Sequence, residues 1–391
     1  MDAQLYSRPS GAEGPGHPLG RQVDGMVVVP APGASPYSVL VVADLEQRVE
    51  VALGSELFSA PHLEADLARF LGDGAAQMRA LAARCRADGT RHVYFVGSGG
   101  SWAGMWSGKL LFDRYVPIAS DVSRSYDLIW RVPRRLGPEA VVFLASYSGQ
   151  TEDTLAALRF ARDRGARTVA LVGKPDTPIG IEADETLMYG SPGLYSLPLA
   201  AVTTFACEWG RLEGDRAAEG VLEALAGIPA AVGAAFRDTR ARGRELAEEL
   251  AASDLIYCLA SGPLYGLAYK FGLTVFMENM RIASSVIESS EFRHGPAEML
   301  DRHSPDMIFL LGSDESRPVA ERSAAVAADH GARVRLFDAH DHPNVHPQLQ
   351  PFVLEVALQW FIVYSTLLRG IDDLDERALM GHRLLSGAGW P

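Results

Sequence analysis

Short apolar runs alternate with segments of helical periodicity along most of the chain. In the first half, His92 to Val96, Ala140 to Ala145 and Thr168 to Val172 have the length and β-branched content of buried strands. In the second half, strands are predicted at 255–260, 307–311 and 334–337. Strands separated by helices predict a parallel sheet that is covered by helices on both faces.

The return of the same order of elements predicts a duplicated α/β architecture. We expect two tandem flavodoxin-like subdomains, each with three layers in which a parallel sheet lies between helices. The predicted boundaries give an N-terminal extension over 1–58, a first subdomain over 59–215 and a second subdomain over 216–391.

Three segments outside the predicted sheets also have a readable pattern. Residues 38–51 are expected to form one or two short strands with a turn near Asp44. The apolar periodicity that starts at Pro61 predicts a helix to about Arg86. After the strand at 255–260, helical spacing predicts a long helical stretch towards Ile287.

The composition narrows the classes of partner. The chain has 391 residues, of which 48% are hydrophobic and 22% are charged, as in ordinary globular proteins. Its net charge is 36 − 49 = −13, which disfavours binding to nucleic acids or to anionic membranes. No signal-peptide run or apolar run of about 18 residues is present, so we expect a cytoplasmic protein without a membrane span. The three cysteines, Cys85, Cys207 and Cys258, are too far apart in sequence to indicate a disulfide framework or a zinc site.

Two loops rich in glycine and hydroxyl groups follow predicted strands of the first half. They are Gly97-Ser-Gly-Gly-Ser101 and Ser146-Tyr-Ser-Gly-Gln-Thr151. Neither loop has the glycine spacing of a dinucleotide-binding motif or the lysine of a P-loop. Hydroxyl groups and closely approaching backbone amides suit a monophosphate. One such loop could simply be a turn and a helix cap, but two at neighbouring strand ends favour a phosphate site.

On the duplicated pattern, these two loops resemble the sugar isomerase (SIS) family, which is best known from the isomerase half of glucosamine-6-phosphate synthase. The resemblance spans about Leu63 to Arg383. It implies that the loops bind the phosphate of a hexose 6-phosphate. The residues implied to bind phosphate and sugar are Gly99, Gly100, Ser101, Ser146, Tyr147, Ser148 and Thr151.

A second motif, Glu288-Ser-Ser-Glu-Phe-Arg-His294-Gly-Pro296, resembles the E-F-x-H-G-P segment of the same family, and Glu278 precedes His294 by sixteen residues as in that family. The resemblance implies that Glu278 moves a proton between C1 and C2 of the sugar. It also implies that His294, often supplied by a neighbouring subunit, helps to open the sugar ring. Glu291, within the motif, is a candidate accessory residue.

The chemistry supports these roles independently of the resemblance. Moving a carbonyl group between C2 and C1 requires a base beside both carbons, and a carboxyl group among apolar neighbours can be tuned towards neutral pH. Phe276, Met277 and Met280 would supply such neighbours for Glu278. An isolated glutamate on a helix is usually only a solvated surface residue. The role of Glu278 as a base is therefore inferred from its spacing of sixteen residues before the His-Gly-Pro sequence.

The C-terminal pattern Leu374-x-x-Arg377-x-x-Met380 resembles that of the fructosamine-6-phosphate deglycases. This resemblance implies hydrolysis of an Amadori compound phosphorylated at O6 to glucose 6-phosphate and a free amine or amino acid, with no metal ion or organic cofactor. His382 stands near the position where relatives carry a lysine, and it is a second candidate accessory residue. The family also implies a homodimer or larger homo-oligomer with shared active sites.

Several alternatives remain open from the sequence. The same residues could serve an aldose-ketose isomerase, a deaminase or an Amadori synthase that acts on hexose 6-phosphates. A non-catalytic sugar-phosphate sensor is disfavoured because no DNA-binding segment flanks the predicted fold. Asp338, His340, Asp341, His342 and His346 could be metal ligands, but the nearby prolines favour a solvated loop.

Overall fold

The computed structural model describes residues 45–56 and 58–376. Their strands form two sheets in which all strand pairs are parallel. The first sheet contains β1 (His92–Gly97), β2 (Ala119–Arg124), β3 (Ala140–Ser146), β4 (Arg167–Val172) and β5 (Glu185–Met188). The second sheet contains β6 (Leu255–Ala260), β7 (Ala283–Glu288), β8 (Asp306–Leu311) and β9 (Arg333–Asp338).

Helices connect and cover these strands. Those of the first half are α1 (Leu45–Ala52), α2 (Ala60–Gly72), α3 (Gly74–Ala87), α4 (Gly99–Tyr115), α5 (Ser125–Arg131), α6 (Glu152–Asp163), α7 (Pro178–Glu182) and α8 (Ser196–Leu212). Those that follow are α9 (Arg216–Leu225), α10 (Ile228–Asp238), α11 (Arg240–Glu249), α12 (Leu264–Tyr269), α13 (Phe276–Glu278), α14 (Arg317–Asp329) and α15 (Gln350–Leu368). A π-helix, Lys270–Val275, joins α12 to α13, and a 3₁₀ helix, Ser289–Arg293, follows β7.

The strand orders are β2-β1-β3-β4-β5 and β7-β6-β8-β9. The first is the flavodoxin-like order, and the second repeats it without a fifth strand. The central strands β1, β3 and β8 are buried along their whole length, as expected for apolar runs covered on both faces. The predicted fold class, two tandem three-layer α/β units, is therefore confirmed.

Three local predictions are wrong. Residues 45–52 form the helix α1 and not a strand, whereas 38–44 lie outside the described residues. The helix predicted from Pro61 to Arg86 is broken at Asp73 into α2 and α3. The helical stretch predicted to reach Ile287 ends at Glu278, and Ile287 belongs to the strand β7.

The stretch Pro347–Leu368, which contains α15, is long and apolar enough to cross a membrane, but 94% of its most apolar window is buried inside the protein. It packs against α10, α11 and α12. Such burial is typical of the central helix of a globular core. This core helix also forms one wall of the cavity described next.

Candidate active site

The loops after β1 and β3 lie at the point where the first sheet changes direction. From β1 the chain crosses to β2 on one side, and it returns to β3 on the other side of β1. Gly97 at the end of β1 pairs with Ala145 near the end of β3, so both loops begin at the same edge. Such a switch point leaves a crevice between two loops, which is where ligands bind in open α/β sheets.

The first loop leads directly into α4. Gly99 adopts a φ of +54°, which a residue with a side chain rarely tolerates. Gly100 and Ser101 form the first turn of the helix, whose backbone amide groups have no partner within the helix and attract anions. Ser98 precedes this turn and donates its hydroxyl to Asp153 of α6. The first loop is thereby tied to the helix that follows the second loop.

Hydroxyl groups organise the second loop from within. The Ser146 Oγ lies 2.8 Å from the Thr151 Oγ1 and accepts a 3.1 Å hydrogen bond from the Gly149 amide. The Ser148 Oγ accepts from the Gln150 amide at 3.2 Å. Ser146 is 2% exposed and lies beneath the loop, whereas Ser148 and Thr151 border the open space. Thr151 occupies the N-cap position of α6, but its side chain bonds to the loop and not to the helix amides.

A cavity of about 500 Å³ opens above these loops. Seven of its lining residues are ones that the sequence predicts either for phosphate and sugar binding or as the base. They are Gly99, Gly100, Ser101, Tyr147, Ser148, Thr151 and Glu278. The structure therefore brings the candidate phosphate loops and the candidate base to one space, although the sequence separates them by more than a hundred residues. Ser146 supports this surface without lining it.

Glu278 stands at the last residue of α13 and is half-buried. The neighbouring Phe276 is buried, and Met277 is 38% exposed. The next residue, Asn279, donates its side-chain amide to the Leu374 carbonyl at 2.8 Å. This bond fastens the chain segment after α15 over the cavity, where Leu374 forms part of the wall. The segment thus covers the end of the cavity that contains Glu278.

His294 and Glu291 do not line this cavity. Both are exposed in the segment after β7, where the His294 amide bonds to the Glu291 carbonyl at 2.9 Å and the Arg293 Nε donates to the His294 Nε2 at 3.0 Å. Within one chain, therefore, the predicted base and the predicted histidine face different surroundings. His382 lies outside the described residues.

Sequence reasoning missed Lys270 and the polar cluster behind it. Lys270 belongs to the π-helix, lines the cavity and is only 6% exposed. Its ammonium group forms an ion pair with Glu355, a residue of α15 with 0% exposure. The sequence does contain a signal, because only three lysines occur in the chain and one of them lies eight residues before Glu278.

Comparisons with known proteins agree with this geometry. The SIS domain family model matches residues 89–195. Fructosamine deglycase FrlB from Bacillus subtilis is 33% identical over 280 residues, which are 68% of this chain and 85% of that protein. Fructoselysine 6-phosphate deglycase from Escherichia coli K12 is 31% identical over 300 residues, which are 74% of this chain and 85% of that protein.

The chain belongs to the SIS-domain fructosamine deglycase family. It is therefore an enzyme of the deglycase and sugar isomerase type. A solved structure from Bacillus subtilis that is described as a phosphosugar isomerase superimposes with a TM-score of 0.70 at 29% identity. The superposition covers 78% of this chain and 99% of that one, so the family fold extends through both sheets.

Elsewhere in this deglycase-family chain, the loop after β9 is held by ion pairs and burial. Arg317 forms two 2.8 Å hydrogen bonds to Asp338. Although burial alone would raise the pKa of Asp338, Arg317 outweighs it and holds that pKa below its usual value. Burial lowers the pKa of both His342 and His346, whereas His340 and Asp341 are exposed, so the loop is solvated along part of its length. Within 45–56 and 58–376, no three histidine, cysteine or acidic side chains converge on a potential metal position.

Proposed function

We propose that this enzyme hydrolyses a 6-phosphorylated ketosamine, an Amadori compound, to glucose 6-phosphate and a free amine or amino acid. One observation carries the proposal: a single cavity is lined both by the two hydroxyl-rich loops and by Glu278. The relatives named fructosamine deglycase and fructoselysine 6-phosphate deglycase support the same reaction class.

The two loops are proposed to bind the phosphate group. Ser101, Ser148 and Thr151 offer hydroxyl donors, and the start of α4 offers backbone amides at its positive end. Ser146 keeps the Thr151 hydroxyl in place through their 2.8 Å contact. Phosphate binding at this end would extend the open-chain sugar along the cavity and bring C1 and C2 towards Glu278.

Glu278 is proposed to carry the proton between these carbons. Its carboxylate takes a proton from C1 of the ketosamine, and the C1–H electrons form a C1=C2 double bond while the C2 carbonyl oxygen gains a proton, which gives an enaminol. Return of a proton to C2 moves the double bond to C1=N. Water then adds to C1 of this imine, and the C1–N bond breaks to release the amine and the aldehyde of glucose 6-phosphate. Amadori compound and water therefore account for all atoms of the products, with no change in overall oxidation state.

His294 is proposed to act from a neighbouring subunit. The ring form of the substrate must open before C1 becomes acidic, and an imidazole is suited to move the proton that ring opening requires. His294 is exposed and lies outside the cavity of its own chain, which is consistent with a role in a second copy. We accordingly propose a homodimer or larger homo-oligomer with shared active sites in the cytoplasm.

The experiment that tests the function is an assay with two products. The purified enzyme is incubated with fructosamine 6-phosphates that carry different amino acids, and also with hexose 6-phosphates and amino-hexose 6-phosphates. Glucose 6-phosphate is measured with a coupled dehydrogenase, and the amine is measured by chromatography. We expect both products to appear in equal amounts from at least one fructosamine 6-phosphate.

Two controls make the result specific. The unphosphorylated fructosamines should react far more slowly, because the loops would have no phosphate to bind. Glu223→Gln removes an exposed carboxylate of α9, outside the cavity, and serves as a matched control for Glu278→Gln. Interconversion of hexose 6-phosphates without release of an amine would instead assign an aldose-ketose isomerase, and release of ammonia from an amino-hexose 6-phosphate would assign a deaminase.

A further inference from the structure

Lys270 is the one cationic side chain among the described residues that line the cavity, and Glu278 is the one anionic side chain there. They belong to one helical face, because Lys270, Thr274 and Glu278 recur at intervals of four residues and all three line the cavity. The chain between them includes a π-helix, a conformation that is rare and often marks functional sites. The cavity thus has a positive and a negative group eight residues apart.

The cationic end lies against the first phosphate loop. A methyl group added to Gly100 would lie 3.7 Å from the Lys270 Cγ, and one added to Gly99 would lie 3.7 Å from the Thr274 Cγ2. The opposite end, at Glu278, lies next to Asn279 and its bond to Leu374. Lys270 is therefore close to the loops, and Glu278 is near the covering segment.

The ammonium group of Lys270 is fixed by Glu355 but does not use all of its hydrogen-bond donors for this contact. Behind the cavity wall, Glu355 pairs with Lys270 and also accepts hydrogen bonds from Ser196 and, at 3.3 Å, from the Gln359 amide. The carboxylate is thus fully engaged. An ammonium group has three N–H donors, and within the described residues Lys270 gives one hydrogen bond, to Glu355. The ammonium also lies 5.6 Å from the centroid of the Tyr195 ring and 5.2 Å from that of the Phe271 ring. Its other two N–H donors make no hydrogen bond within the described residues, and the side chain is 6% exposed and borders the cavity.

If the Lys270–Glu355 ion pair were purely structural, its burial would cost free energy without a functional benefit. Two charges lose their hydration on burial, and an apolar pair of the same size often stabilises a protein as well or better. A cavity that receives a phosphate gains from a fixed cation, because lysine binds phosphate as a point charge and its attraction is strong away from bulk water. Glu355 fixes the side chain beforehand, so little conformational freedom is lost on binding.

We propose that Lys270 is a substrate-binding residue that donates hydrogen bonds to the phosphate group held by the two loops, with Glu355 as the positioning residue behind it. This inference rests on the proposed function, since it assigns the cation for the same phosphate. It adds a cation to the hydroxyl groups and backbone amides that the sequence predicts for the phosphate site.

The test measures inorganic phosphate and glucose 6-phosphate binding by calorimetry. Lys270→Met alone leaves a buried carboxylate without its partner and is expected to lower the melting temperature. The decisive variant is therefore the double substitution Lys270→Met with Glu355→Gln, which removes both charges at similar volume. Its melting temperature should return towards that of the wild type, while its Kd for both phosphates rises by about tenfold or more.

Glu355→Gln alone separates the two side chains. It retains the Lys270 ammonium and replaces its charged partner by an amide whose oxygen can still accept a hydrogen bond. The Kd for phosphate should therefore rise, because Lys270 is less well fixed, but by less than in the double variant. A double variant that folds stably and binds phosphate with the wild-type Kd would overturn the inference and leave Lys270 with a structural role.

The inference and the proposed function can fail separately. Product release by the wild type, combined with unchanged phosphate binding in the double variant, would refute the role of Lys270 and leave the deglycase assignment standing. Phosphate binding that depends on Lys270, combined with no release of glucose 6-phosphate from any fructosamine 6-phosphate, would refute the deglycase assignment alone.

Discussion

At the scale of single residues, the two hydroxyl-rich loops after β1 and β3 show which features a sequence can reveal. Ser148 and Thr151 could be identified because hydroxyl groups after a strand suggest a ligand directly. The supporting position of Ser146 could not, because the hydroxyl that faces inward is decided by the turn at Gly149. The position of Lys270 in the cavity wall has no such signal, because its partner Glu355 is 85 residues away in sequence and a charge pair at that separation leaves no local pattern.

Gly149 is a position where a single methyl group should be costly. Its φ is +61°, and an added Cβ would lie 2.1 Å from the Thr177 Oγ1. Gly149→Ala should lower the free energy of unfolding by about 2–4 kcal/mol, since backbone strain and overpacking add. Gly89→Ala is the matched control, because Gly89 has a φ of +74° with nothing within 4 Å, and it should cost only about 1–2 kcal/mol. Equal losses in urea unfolding would show that the contact with Thr177 is unimportant.

The free energy of unfolding should depend on pH because of the buried His92. Burial lowers the pKa of His92, and its ring lies 4.3 Å from that of Tyr94. The unfolded chain therefore binds a proton more readily than the folded one, so the free energy of unfolding should fall as the pH drops below about 6.5. His92→Phe should make this fall shallower without removing it, because burial also lowers the pKa of His342 and His346. An unchanged slope in denaturation curves between pH 5 and 8 would contradict this reasoning.

At the scale of elements, the strands were easier to predict than the segments at the edges of the sheets. Continuous apolar runs such as β1 and β3 are buried along their whole length, and their short length and β-branched content favour strands over helices. In α1, by contrast, the sequence predicts a strand, but Leu45, Val49 and Ala52 are buried and Val51 is 74% exposed, which is a helical spacing. The helical stretch ends after Glu278, and Arg281 beyond it adopts a φ of +54°, which is outside the helical region. The sequence does not predict this end, because an arginine rarely adopts a positive φ.

The stability of the segment that covers Glu278 should depend on Asn279, which bonds to it at Leu374. Asn279→Ala removes the 2.8 Å bond to the Leu374 carbonyl from a site with 5% exposure. We expect the free energy of unfolding to fall by about 1–3 kcal/mol. We also expect a higher KM and faster proteolysis within 371–376, because this segment would be less well fixed.

Arg281→Ala provides the comparison for that experiment. It breaks an ion pair with Glu376 in which the side chains are 38% and 46% exposed, and such pairs contribute little. Its stability and KM should stay close to those of the wild type. If both substitutions have the same effect, the anchoring of the segment does not depend on the buried Asn279 bond.

At the scale of the whole molecule, both halves of the chain contribute residues to one cavity. The first sheet supplies the loops after β1 and β3, and the chain after β6 supplies the helical face with Lys270 and Glu278. The sequence could predict the duplication because each half repeats the strand-helix order. It could not predict that the second half covers the loops of the first, because that depends on how α12, the π-helix and α15 pack together.

The proposed sharing of active sites between subunits can be tested by mixing inactive variants. Glu278→Gln and His294→Asn should each be inactive as homo-oligomers. In a randomly mixed dimer population, half of the dimers contain both variants and half of their sites are intact, so about a quarter of the wild-type activity should return. No recovery, in mixed dimers verified by mass, would contradict donation of His294 from a second subunit.

The most direct test of the central claim is the turnover of Glu278→Gln with the best fructosamine 6-phosphate, measured beside its affinity for glucose 6-phosphate. If Glu278 moves the proton in a cavity whose loops bind the phosphate, kcat should fall by about 10³-fold or more while the Kd for glucose 6-phosphate changes little. A variant that retains most of its kcat would contradict the account, because the reacting carbons would then have another base.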